Sequence, residues 1–232
     1  MPHKHNFGAG PCILPQEVFE QAAQAVLSWG DTGLSILEIS HRTPEFESVV
    51  AESVQLIKEL MQVPAGYEVI FVQGGASLQF LMVAYNLLET KAAYLKTGVW
   101  AANAVKEAKY LGNVEVVASS EDRNYAYIPK GYSIPNDADY FHCTSNNTIY
   151  GSQMQSFPEC PVTMVCDMSS DILSRKIDVS KFGLIYAGAQ KNMGPAGVTV
   201  VIVRKDILGK VTRKIPSMMN YQIHIEKETM FN

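Results

Sequence analysis

The chain has 232 residues, 47% of them hydrophobic and 18% charged, with a formal net charge of −4. That balance suits one large globular domain, or roughly one and a half average ones, and argues against a general nucleic-acid or membrane-surface binder. The opening stretch MPHKHNFGAGP lacks the apolar core of a secretory leader, and no apolar run reaches the length of a membrane span. Cys12, Cys143, Cys160 and Cys166 form no CxxC pair and no regular spacing with histidine. They predict buried free thiols in a reducing cytoplasm, and no zinc or other metal site.

In chain order, residues 15–29 (PQEVFEQAAQAVLSW) carry apolar residues at helical spacing and predict a first helix. The second helix is better marked. Thr43 suits an N-cap, Pro44 the first helical position and Glu45 the first turn. Phe46, Val49, Val50, Val54, Ile57 and Met61 recur at steps of three and four, which predicts one buried stripe. From there the pattern alternates. YEVIFV reads as a strand, SLQFLMVAYNLL as a helix, AAYLK as a short strand, and VWAANAVKEAKYLG as a helix closed by Gly112. VEVVA, ADYFHC, PVTMVCD, FGLIYAG and GVTVVIVRK read as further strands. They are continuous β-branched runs rather than alternating ones, the mark of a mostly parallel sheet covered on both faces. The predicted fold class is α/β with a doubly wound sheet, whose ligands bind beyond the carboxyl ends of the strands.

Each strand end admits a chemical role and a plainer structural one. In QGGASLQF, Gly74 and Gly75 precede a helix whose free N–H groups and dipole favour an anion; a tight strand-to-helix turn explains the glycines equally well. Trp100, in KTGVW, offers a flat face for stacking or simply a core contact. CTSNNTIYG is a polar loop in which the Thr148 hydroxyl can donate to a ligand oxygen. Asp167 ends an apolar run, where a buried carboxylate needs a cap or a cation as partner. Lys191 lies 24 positions further on (191 − 167), in a turn of small residues, YAGAQKNMGPAG. Partial burial there favours the neutral amine that carbonyl chemistry requires. An anion cup, a flat aromatic, a hydroxyl, a buried carboxylate and a nucleophilic lysine together describe one ligand, pyridoxal 5′-phosphate.

At these residues the chain resembles the phosphoserine aminotransferases, a fold-type I family dependent on pyridoxal phosphate. The resemblance runs through NFGAGP, EISHR, GGASLQF, TGVW, SNNTIYG, the long stretch CDMSSDILSRKIDVSKFGLIYAGAQKNMGPAG, and ETMFN. It implies that Lys191 binds the cofactor aldehyde and Asp167 its ring nitrogen. Trp100 would stack on the ring and Thr148 bond its phenolic oxygen. Ala76, Ser77 and Gln190 would hold the phosphate, with Asn232 reaching across a homodimer to the partner's cofactor. His41 and Arg42 match the pair that recognises substrate phosphate in the neighbouring subunit's site, and a basic pair before a helix N-terminus does favour a dianion. Ser77 stands where some members carry an arginine that contacts the substrate phosphate.

By the resemblance, residues 1–14 form an N-terminal arm and 15–232 the cofactor-binding large domain, with the family's C-terminal small domain absent from this chain. The implied reaction is reversible transamination between glutamate and 3-phosphohydroxypyruvate, in cytoplasmic serine biosynthesis and, in some bacterial relatives, pyridoxine biosynthesis. The alternative reading is a cofactor-binding fragment without activity of its own, since substrate positioning carries many orders of magnitude in rate. A relative acting on an unphosphorylated amino acid, and a cofactor-free Schiff-base aldolase, are further alternatives. The first would be indifferent to Arg42; the second would need a barrel of strands.

Overall fold

The computed structural model describes residues 4–231. Asn232, expected at the partner's cofactor phosphate, lies outside the described residues. Helices α1 (Gln16–Leu27) and α2 (Pro44–Leu60) come first. They are followed by β1 (Tyr67–Val72), α3 (Gly75–Leu87), β2 (Lys91–Lys96), α4 (Val99–Ala108) and β3 (Asn113–Ser119). Then come β4 (Tyr140–Thr144), β5 (Thr163–Asp167), β6 (Leu184–Gly188), β7 (Thr199–Arg204) and α5 (Tyr221–Glu226). Every predicted strand is present, its bounds within two residues of those expected.

The seven strands form one sheet in the order β1-β7-β6-β5-β4-β2-β3. β3, β2, β4, β5 and β6 run parallel, while β7 is antiparallel to both β6 and β1. An antiparallel neighbour needs no crossover helix, so the β6–β7 connection is a short loop at the carboxyl end of β6. Lys191 sits in that loop. The parallel strands are buried along nearly their whole length except the edge strand β3, as a sheet covered on two faces requires.

One face packs against α3, α4 and Tyr221, with Phe80, Met82, Val83 and Val105 pressed onto Tyr94, Tyr140 and Tyr186. The other face is filled by Met61 from the end of α2 and by loop residues such as Met154, Ile172, Val179 and Phe182. Here α2 departs from expectation. Phe46, Val49, Val50, Val54 and Ile57 are only half-buried, and no residue of the helix itself is buried. Met61, at its C-cap, is the one stripe position in the core. The stripe instead borders an open apolar groove, where Leu56 and Leu60 are 48% and 66% exposed. Thr43 does occupy the N-cap position, but its hydroxyl donates to Ser40 O (3.0 Å) instead of capping the helix.

Candidate active site

The carboxyl ends of the parallel strands converge on a cleft, and each end contributes one kind of group. After β1, Gly74 adopts a left-handed φ of +87°, and a Cβ there would stand 2.5 Å from Leu78 Cδ2. Only glycine makes this turn without strain. It brings Gly75, Ala76 and Ser77, the first turn of α3, onto the cleft wall with their unpaired N–H groups.

After β2, Trp100 is half-buried in the first turn of α4, its ring 5.9 Å from Lys191 Nζ. Gly98, at the N-cap of α4, leaves room for the buried Asn147 side chain, from which a Cβ there would lie 2.7 Å. β4 delivers Thr144, and the loop beyond it delivers Asn146 and Thr148.

Asp167, at the end of β5, is 4% exposed. One of its carboxylate oxygens accepts from Ser169 N–H at 2.9 Å and from the Ser169 hydroxyl at 2.6 Å. The same hydroxyl accepts from Gly188 N–H at 3.1 Å, which ties the carboxylate to the end of β6. Burial pushes the Asp167 carboxyl up; the Ser169 bonds and the Lys191 charge pull the other way. A carboxylate held ionised in such a place needs a cationic guest.

Beyond β6, Gln190 and Lys191 complete the cleft. Lys191 Nζ donates to Thr148 Oγ1 at 2.7 Å. Burial lowers the lysine's pKa, opposed by the charge of Asp167. In the fold the small residue against the lysine's side chain is Gly10, from the segment before α1: a Cβ there would stand 3.1 Å from Lys191 Cγ. Cys12 N–H anchors this segment on Gln190 O at 2.8 Å.

Ala76, Ser77, Trp100, Thr148, Asp167, Gln190 and Lys191 thus all line one cleft. His41 and Arg42 do not. His41 lines the apolar groove beside α2, and Arg42 is exposed. Sequence reasoning missed Ser169, Thr144 and Asn146. Ser169 was within reach, since a serine two residues after a buried aspartate is a common local donor to it. Thr144 is 6% exposed, and its hydroxyl has no partner. A hydroxyl so buried costs about 1–3 kcal/mol unless something bonds it, so an orphan on the wall of a cleft suits a polar guest. Donors for a phosphate, an aromatic face, a buried carboxylate and an amine of lowered pKa fit pyridoxal phosphate.

This mixed seven-stranded sheet flanked by helices is the α/β architecture shared with the solved aminotransferases on which the chain superposes. Residues 4–232 match the family described as aminotransferase class-V, and the chain belongs to that family. It is 62% identical to a phosphoserine aminotransferase of Flavobacterium psychrophilum, across 99% of this chain and 65% of that protein. The solved phosphoserine aminotransferase of Bacillus circulans subsp. alkalophilus superposes with a TM-score of 0.93 at 46% identity, over 98% of this chain and 64% of that one. The phosphoserine aminotransferase of Trichomonas vaginalis, solved with PLP bound, superposes with a TM-score of 0.92 at 38% identity, over 98% and 65%. The chain therefore spans about 65% of the length of the curated relative it matches.

Proposed function

We infer that this chain is the cofactor-binding part of a phosphoserine aminotransferase, interconverting 3-phosphohydroxypyruvate and glutamate with phosphoserine and 2-oxoglutarate. The observation that carries the reading is the convergence of Lys191, Thr148, Asp167 and Trp100 on one cleft beside the free N-terminus of α3. Bound pyridoxal phosphate supplies an aldehyde for amino groups and a ring that withdraws electrons. The chain's residues do the rest. Asp167 would keep a proton on the ring nitrogen, and Trp100 would pack on the ring face. The first turn of α3, through Ala76 and Ser77, would hold the phosphate together with Gln190. Lys191 Nζ would hold the aldehyde carbon and, as a free amine, would take the proton from the substrate α-carbon as general base and give it back as general acid.

His41 and Arg42 stand outside this chain's own cleft, which agrees with a role in a partner subunit's site and so with a homodimer sharing its active sites. Serine biosynthesis in the cytoplasm is the setting this activity implies. Residues 1–14 are read as an N-terminal arm, of which Gly10 packs on Lys191, and 15–232 as the large domain. No helix among the described residues is long and apolar enough to cross a membrane.

The test is an absorption spectrum of the protein with pyridoxal phosphate, before and after glutamate, followed by assay with the phosphorylated keto acid. A visible band that glutamate converts, and that Lys191→Ala abolishes, is expected. A band that glutamate leaves unchanged would mean cofactor binding without transamination by this chain. A Lys191→Ala variant with full turnover would refute the assignment.

A further inference from the structure

Asp171 is a second buried carboxylate, four residues beyond Asp167 and 8% exposed. The cleft does not include it, and the mechanism above gives it no task. Its partners are nevertheless specific. One oxygen accepts from the Ser145 hydroxyl; the other accepts from Gln153 Nε2 at 3.0 Å and lies 3.7 Å from Arg175 Nη2. Ser145 in turn donates its backbone N–H to the main-chain oxygen of Asp167 at 2.9 Å. Its hydroxyl also lies 3.1 Å from that oxygen. The hydroxyl has a single hydrogen, and the ionised carboxylate is the stronger acceptor. Asp171 therefore directs that hydrogen toward itself and leaves the Asp167 carbonyl to the Ser145 N–H.

The second link is the turn from 168 to 172. Asp171 N–H and Ile172 N–H both return to Met168 O, at 3.2 and 2.9 Å. This turn carries Ser169, whose N–H and hydroxyl hold the Asp167 carboxylate. One end of the turn is the strand; the other is fastened through the Asp171 side chain to the β4 loop.

We propose that Asp171 is a positioning residue for the cofactor carboxylate, pinning the turn that presents Ser169 to Asp167 and adding a second negative charge behind it. The groups facing Asp167 are Lys191 from the β6–β7 loop, Tyr186 on β6, Cys166 on its own strand, and Asp171. Asp171 is the nearby anion, and its charge pushes the Asp167 carboxyl up while that of Lys191 pulls it down. Arg175, held by Met154 O and Gln155 O at 2.5 and 3.1 Å, limits how much of the Asp171 charge reaches the site.

The inference rests on the cofactor reading above, and the experiment separates the two. The protein is loaded with pyridoxal phosphate and its visible band titrated with pH, alongside cofactor affinity and melting temperature. Asp171→Asn keeps a hydrogen-bond acceptor for Ser145 but removes the charge. Its titration midpoint is expected to fall by about half a pH unit, with cofactor affinity weakened about three- to tenfold. Arg175→Gln removes the compensating cation, and its midpoint is expected to rise. A merely structural role would lower the melting temperature of both variants without moving the midpoints in opposite directions. Midpoints equal to wild type in both overturn the inference and leave the cofactor reading intact. Should Asp171→Asn fail to fold, Arg175→Gln decides alone. A wild-type chain that takes no cofactor overturns both.

Discussion

Lys191 Nζ donates to Thr148 Oγ1 at 2.7 Å, so the hydroxyl that receives the lysine still has its own hydrogen to give. A threonine hydroxyl is one donor and two acceptors. One acceptor is taken by the amine, which leaves the O–H directed at a third group. On the proposed reading, the phenolic oxygen of a ring whose nitrogen pairs with Asp167 would be such a group. Thr148→Val keeps the shape and removes both functions. Affinity for pyridoxal phosphate, read by titrating the cofactor-free protein, should fall about tenfold, and Thr148→Ser should retain it. Equal affinity in wild type and the valine variant would remove Thr148 from the site.

Asp167 and Lys191 shift each other in opposite senses. Burial favours the neutral amine of Lys191, and the Asp167 charge works against it. In the cofactor-free protein, Lys191 should react with an amine-acylating reagent at lower pH than a free lysine side chain does. Asp167→Asn removes the opposing charge, so its profile should move lower still. Competitive labelling followed by peptide mass spectrometry reads both. A profile that moves to higher pH in the asparagine variant would contradict the coupling.

Much of this site was legible because its groups sit where apolar runs stop. Asp167, Lys191 and Trp100 each follow a strand that the residue pattern marks plainly, and a parallel sheet brings such ends together. What the pattern does not encode is which segment covers the result. Gly10 packs on Lys191 from 181 positions away in the chain (191 − 10), and only the fold places it there. The same limit applies to α2. Its apolar spacing is real, but spacing marks a face and not the partner that covers it, so the stripe lies half-buried along a groove. Thr144 was invisible for another reason. Nothing local distinguishes a threonine paired by its strand neighbours from one left without a partner.

His142 offers a test of the sheet beneath the site. It is fully buried on β4, its ring stacked on Tyr94 with centroids 4.8 Å apart and its Nε2 2.8 Å from the Tyr186 hydroxyl. Burial depresses its pKa from 6.5 to about 3. The native state therefore resists a proton that the unfolded chain accepts. Stability is fully present above pH 6.5 and is lost as pH falls toward 3. Between pH 7 and pH 5 this one group should cost about 2 kcal/mol. Urea melts at both values would show the loss in wild type and a flatter dependence in His142→Gln, whatever that variant's absolute stability. An unchanged slope would mean that another group sets the acid sensitivity.

At the far edge of the sheet, Thr229 closes β1. Its hydroxyl accepts from Phe71 N–H and donates to Phe71 O, both at 2.7 Å, so one side chain satisfies both backbone groups of an edge residue. Unpaired edge groups invite other strands, and covering them is a common protection. Thr229 itself holds φ at +64°, a conformation costly for a branched side chain. Thr229→Val keeps the branch and the backbone demand, so comparing it with wild type isolates the two hydrogen bonds. Urea denaturation should show a loss of about 1–2 kcal/mol, together with more concentration-dependent association. Thr229→Ser keeps the hydroxyl with less crowding and should be at least as stable as wild type. A valine variant of full stability would mean that water serves Phe71 as well as the hydroxyl does, and that the clasp adds nothing to the edge.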